Sequence, residues 1–119
     1  MDNLETLTIA KILSEQKKLQ EALGHPMGYG YAGVKENVLA AIVELTEVLN
    51  ETPWKPWKQY DPQSGRFMDV GALLTEMTDV LQFWANMVIC MGFTPEEVTS
   101  ALEKKWAENY RRLEDRIPR

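Results

Sequence analysis

Apolar residues recur along this chain at helical spacing in four blocks, and no stretch alternates with period two as a strand would. The first block, from about 5 to 23, sets Ile9, Leu13 and Leu19 to Leu23 on one face. The glycines and proline of Gly24-His25-Pro26-Met27-Gly28-Tyr29-Gly30-Tyr31 then break it. A second helix is expected from about Lys35 to Asn50, with Val38, Ile42, Leu45 and Leu49 as its apolar stripe, stopped by Pro53 and Pro56. After a loop from about Trp54 to Gly65, a third block, about 67 to 91, is apolar on most of its circumference. Leu73, Leu74, Met77, Val80, Leu81, Phe83, Trp84, Met87 and Val88 predict the central helix of a bundle. Gly92 suits a left-handed C′ position, and Thr94-Pro95-Glu96-Glu97 reads as a helix start with Thr at N-cap, Pro at N1 and Glu at N3. The fourth helix runs to about Leu113, and the charged tail from Glu114 to Arg119 is expected to fray. The pattern predicts an all-α fold, a four-to-five-helix bundle in one domain spanning residues 1–119. So short a helical chain is expected to complete its burial by oligomerising.

Charged residues interrupt these apolar faces in an ordered way. Glu44, Glu47 and Glu51 stand at i, i+3 and i+7 on helix two, within about 60° of arc. Glu76, Asp79, Phe83 and Asn86 line up likewise on helix three, where burial should be greatest. An unpaired buried carboxylate costs several kcal/mol or takes up a proton. One E-x-x-E stripe alone reads better as a solvated face. Two acidic pairs, with Met77, Val80 and Leu81 around the second, favour a divalent cation held by oxygen ligands, Mg²⁺ above all. Helix four adds Lys105, Asn109 and Arg112 at i, i+4 and i+7, suited to polyphosphate oxygens or to an exposed basic edge. Trp54-Lys55-Pro56-Trp57-Lys58 offers ring faces for stacking and ammonium groups for phosphate.

Composition narrows the partners. The chain has 119 residues and a formal charge of −5, which disfavours polymeric nucleic acid because its non-specific binding rests on a Lys/Arg field. Cys90, the one cysteine, lies in an apolar run and reads as a buried, inert thiol in a reducing compartment. Met1 to Glu5 carry no secretory signature and no stretch is long enough to span a bilayer, so no membrane is expected and the location is read as cytoplasmic. No Ser or Cys nucleophile constellation is visible, so a covalent intermediate is not favoured. His25, in the Gly-rich segment, reads as structural. With no His on a helix, the Glu-x-x-His pairs of a di-iron bundle are absent.

Glu44-x-x-Glu47 followed by Glu76-x-x-Asp79 resembles the E-x-x-E…E-x-x-D signature of the all-α NTP pyrophosphatases, the MazG-like and dimeric dUTPase-like enzymes. Trp54-Lys55-Pro56-Trp57-Lys58 and Lys105-x-x-x-Asn109-x-x-Arg112 are similar to segments of the dimeric dUTPases and of bacteriophage dCTP/dUTP pyrophosphatases, and Asn86 has a counterpart in the latter. The resemblance implies that Glu44, Glu47, Glu76 and Asp79 hold Mg²⁺, with Mn²⁺ a possible substitute. It further implies that Lys105, Asn109, Arg112 and Lys58 hold phosphates, that Trp54 and Trp57 belong to the substrate site, and that Gln16 or Gln20 meets the base edge. The implied reaction cuts a nucleoside triphosphate between its α- and β-phosphates by direct attack of water, with Glu47 as the carboxylate that orients and deprotonates it, and with a pyrimidine dNTP (dUTP or dCTP) favoured over a purine or a broad range. A homodimer or homotetramer in a bacterial or phage-infected cytoplasm is the implied setting, and a non-catalytic nucleotide-binding module the rival reading. The chain departs from the family where Gln82-Phe83 stands for a usual His-Phe, and where Leu113-Glu114-Asp115 replaces a Gln and Gly-Tyr.

Overall fold

The computed structural model describes residues 6–58 and 69–116. Four helices follow one another: α1 (Ile9–Leu23), α2 (Gly30–Asn50), α3 (Val70–Cys90) and α4 (Pro95–Arg116). No strand occurs among the described residues. The expected loop between helices two and three lies partly outside them, beyond Lys58, as do the expected start of helix three near 67 and the last three residues of the tail.

Local signals account for most boundaries. The Thr8 hydroxyl accepts from the Lys11 amide at 3.1 Å and opens α1. The Asp69 carboxylate accepts from the Ala72 amide at 3.0 Å and opens α3. At α4 the capping box is complete: the Thr94 amide donates to Glu97 Oε1 at 2.9 Å, and the Glu97 amide donates to Thr94 Oγ1 at 3.1 Å. Gly92, at φ 72°, takes the left-handed position that ends α3, where a side chain would be strained. Three boundaries differ from expectation, the first being that of α1, which begins at Ile9 and not near 5 because Thr8 caps it there. α2 begins at Gly30, five residues early, because the break needs only the positive-φ residues up to Gly30 and Gly33 continues the helix. α4 stays helical through Arg116, where fraying was expected from Glu114.

α3 is the central helix, packed on both α2 and α1, while α4 packs on α1 and makes no close backbone approach to α2 or α3. Leu13, Ala85, Val88 and Val98 form the buried core, flanked by Ile9, Ile12, Trp84, Ile89 and Leu102. The seam between α2 and α3 is of another character. α2 buries Gly33, Asn37 and Ala41, not the apolar stripe expected from its periodicity. Val38, Ile42, Leu45 and Leu49 are exposed, as are Val70, Leu74, Met77 and Leu81 along α3 and Leu19 and Leu23 on α1. Periodicity fixes which residues share a face but not which neighbour covers it. Small and polar residues let the two backbones approach closely at the seam, and the bulky apolar stripes are left on the opposite sides.

Gly33 is a position where only hydrogen fits. A Cβ there would lie 2.6 Å from Cys90 Sγ and 2.9 Å from the Gly28 carbonyl oxygen, inside contact distance of both. Gly33→Ala is expected to destabilise the domain by about 1–3 kcal/mol through overpacking, read as a lower denaturation midpoint in urea at unchanged m-value.

Candidate active site

The α2–α3 seam carries three polar groups in order. At one end Cys90 lies over Gly33. In the middle Asn86 Nδ2 donates to Asn37 Oδ1 at 3.1 Å. Toward the other end, the C-terminal part of α2 faces the N-terminal part of α3, as two antiparallel helices require. There Glu44, Glu47 and Glu76 each bring a carboxylate oxygen within 4.8 Å of the others. Glu44, Glu76 and Asp79 are half-buried and Glu47 is exposed, whereas Met77 and Leu81 beside them on α3 face outward. The acids thus occupy the inner face and the apolar residues the outer one.

This arrangement is electrostatically unfavourable by itself. Glu44 Oε2 and Glu76 Oε2 are shielded from solvent and have no hydrogen-bond partner. Burial pushes the Glu44 carboxyl above its ordinary range, and the charges of Glu47 and Asp79 push it further. Burial likewise raises Glu76, followed by contact with Glu47 and the charges of Glu47, Asp79 and Glu44. Asp79 therefore lies within electrostatic reach of the cluster, though outside the tight set of three. Glu51, the third acid of the helix-two stripe, sits at the C-cap of α2, where its amide donates to the Glu47 carbonyl at 3.2 Å, and is not part of the set. A hard divalent cation fits the donor set: oxygen ligands only, net negative, with two shielded oxygens that lack partners.

The other expected site residues fall into three groups. Gln16 and Asn86 are brought together, with Gln16 Nε2 donating to Asn86 Oδ1 at 2.9 Å, and both are buried. Gln20, one turn on, is half-buried and takes no part in that contact. Trp54, Trp57 and Lys58 directly follow α2, on the side of its acidic end, and are exposed. The two indoles meet edge to face at 5.6 Å between centroids, Lys55 Nζ lies 5.8 Å over the Trp54 ring, and Trp54 Nε1 donates to Asn50 Oδ1 at 3.4 Å. The pair is a compact aromatic element, with Trp57 the more exposed of the two rings.

Lys105, Asn109 and Arg112 are not brought to the carboxylates. All three are exposed on α4, where Lys105 lines a cavity with Trp84 and Val88 of α3 and neither cation pairs with a carboxylate of the cluster. Glu108 lies between the two cations, its carboxylate 3.6 Å from Lys105 Nζ and in short contact with Arg112 Nη2. The sequence reading missed Glu108, although its i+3 and i+4 spacing to the two cations announces the pairing. It also missed Asn37, the most buried polar side chain described, because a lone Asn amid Val38, Leu39 and Ala40 gives no periodic signal.

An all-helical domain with clustered carboxylates in a polar helix seam is the class of protein that fold and site define. The chain belongs to the dUTPase family, whose model matches residues 8–117. No curated protein and no solved structure matches it. Membership carries hydrolase chemistry on a nucleoside triphosphate, in agreement with the motifs read from the sequence. No described helix is long and apolar enough to cross a membrane.

The cluster has a thermodynamic signature. In chelator at neutral pH, Glu76→Gln is expected to melt at a higher temperature than the wild type, because it removes one of the crowded charges. Since the folded-state pKa values of Glu44 and Glu76 are raised, the wild type recovers stability as pH falls through that range, and the advantage of Glu76→Gln shrinks with it. Millimolar Mg²⁺ is expected to raise the wild-type Tm and to reverse the order of the two proteins. Thermal unfolding across pH, with and without Mg²⁺, checks both; a wild-type Tm indifferent to Mg²⁺ would contradict the cation site.

Proposed function

We propose that the protein hydrolyses dUTP, with a divalent cation, to dUMP and diphosphate. The observation that carries this is the cluster Glu44, Glu47 and Glu76, with its two shielded, unpartnered oxygens, in a chain of the dUTPase family. Mg²⁺, or Mn²⁺ in its place, would be held by Glu44, Glu47, Glu76 and Asp79. When bound, such an ion neutralises phosphate charge and lowers the pKa of a coordinated water.

The chain's own groups have distinct parts in this reaction. Glu47 is the exposed member of the cluster, so a water and a phosphate can both stand beside it. Its carboxylate orients the water for in-line attack at the α-phosphorus and takes its proton. The bond from that phosphorus to the bridging oxygen breaks, and diphosphate leaves. Glu44 and Glu76, less exposed, anchor the site. Lys58, Lys105, Asn109 and Arg112 neutralise the outer phosphates. That role requires the basic end of α4 to reach the site, from the same chain or from another copy. Trp54 and Trp57 wall the nucleoside, and Gln16 or Gln20, with Asn86, reads the base edge.

A homodimer or homotetramer belongs to the same reading. The exposed stripes Val38, Ile42, Leu45 and Leu49 on α2, and Val70, Leu74, Met77 and Leu81 on α3, are the faces a second copy would cover.

The direct test is release of diphosphate from each dNTP and NTP in Mg²⁺ and in EDTA. The wild type is expected to hydrolyse dUTP, and EDTA to abolish turnover. Glu47→Ala is expected to lose at least about a hundredfold in kcat while its circular dichroism stays helical. Turnover that persists in EDTA or in Glu47→Ala would overturn the mechanism.

A further inference from the structure

Gln16, Asn86 and Asn37 form a chain of primary amides that crosses from α1 through α3 to α2, and this chain has a direction. Asn37 is 1% exposed, and its Nδ2 donates to the Gly33 carbonyl at 2.8 Å and faces Cys90 Sγ at 3.7 Å. A backbone carbonyl has lone pairs and no proton to give, so Asn37 must turn its NH₂ toward it. Its Oδ1 is then the end that meets Asn86, which has to answer with Nδ2, at 3.1 Å. Asn86 Oδ1 is left for Gln16, which has to answer with Nε2, at 2.9 Å. Turning over any one amide would set oxygen against oxygen or NH₂ against NH₂ at buried positions, where an unmade hydrogen bond is costly. The carbonyl of Gly33 thus dictates which way Gln16 faces, two residues removed. Gln16 keeps Oε1 and one Nε2 proton, which take no partner among the described residues.

We propose that Asn37 is a positioning residue for base selection, fixing through Asn86 the order in which Gln16 presents acceptor and donor to the base. The inference rests on the reading above, in which Gln16 meets the base edge. Uracil offers N3–H as donor beside O4 as acceptor; cytosine offers N3 as acceptor beside its 4-amino donor, the reverse order. An amide free to make a half-turn about its last torsion suits both orders. A locked amide suits one, and in hydrolysis of dUTP that order is uracil's. Selectivity between the two pyrimidines is therefore set partly by a residue that touches neither.

The test compares wild type with Asn37→Leu, which keeps the shape and removes the lock, by kcat/KM for dUTP and for dCTP in Mg²⁺. The ratio of the two is expected to fall by about tenfold or more in the variant. A purely structural role would lower both values alike, so an unchanged ratio in a folded variant overturns the proposal. A wild type that hydrolyses neither nucleotide instead overturns the functional reading on which this rests. A second measurement needs no variant: in wild type the side-chain carboxamide protons of Asn37, Asn86 and Gln16 are expected to exchange far more slowly by NMR than those of exposed Asn109. Exchange at the exposed rate would show that no lock exists and would overturn the proposal even if Asn37→Leu does not fold.

Discussion

Like charges held together by a helix pair are the constraint around which the molecule is arranged. Glu44 and Glu47 on α2 and Glu76 on α3 converge within 4.8 Å, with Asp79 in electrostatic reach. At such separations repulsion between carboxylates is strong even at an effective dielectric well above that of a dry interior. The helices tolerate it because their remaining contacts clamp the seam: Gly33 admits Cys90 at one end, and Asn37 and Asn86 close it in the middle. A positive charge entering the cluster would relieve this repulsion.

The same seam decides where the apolar surface goes. A helix has one circumference; if its inner arc carries carboxylates, amides and a glycine, its large aliphatic residues must point elsewhere. Val38, Ile42, Leu45 and Leu49 on α2 and Val70, Leu74, Met77 and Leu81 on α3 do so. The apolar core is built instead between α1, the C-terminal half of α3 and the first turns of α4. The polar seam that makes the cluster also leaves these apolar stripes exposed.

How much of this is legible in the residues depends on what each signal encodes. The capping box at Thr94, the left-handed Gly92 and the central position of α3 follow from local stereochemistry and composition, and each appears as expected. The pairing of Glu44 and Glu47 with Glu76 was also legible, because carboxylates at helical spacing on two successive helices meet when those helices pack antiparallel. The inward face of α2 was not, since periodicity treats an aliphatic stripe as core whether its own chain or another copy covers it. The Lys105, Asn109 and Arg112 stripe is present on one face of α4, yet its distance from the carboxylates depends on how α4 leaves the core, which no local pattern encodes. Asn37 escaped notice because its importance lies in the direction of its hydrogen bonds, a property of the assembled seam.

The central claim is that the carboxylate seam is a divalent-cation site. The most direct measurement is a titration of the ¹⁵N-labelled protein with substoichiometric Mn²⁺, following paramagnetic broadening of backbone amides. Broadening centred on Glu44, Glu47, Glu76 and Asp79, and displaced by excess Mg²⁺, is the expected result. Broadening centred instead on other acids, such as Glu96 and Glu97 at the start of α4, or spread evenly over the acidic surface, would contradict it.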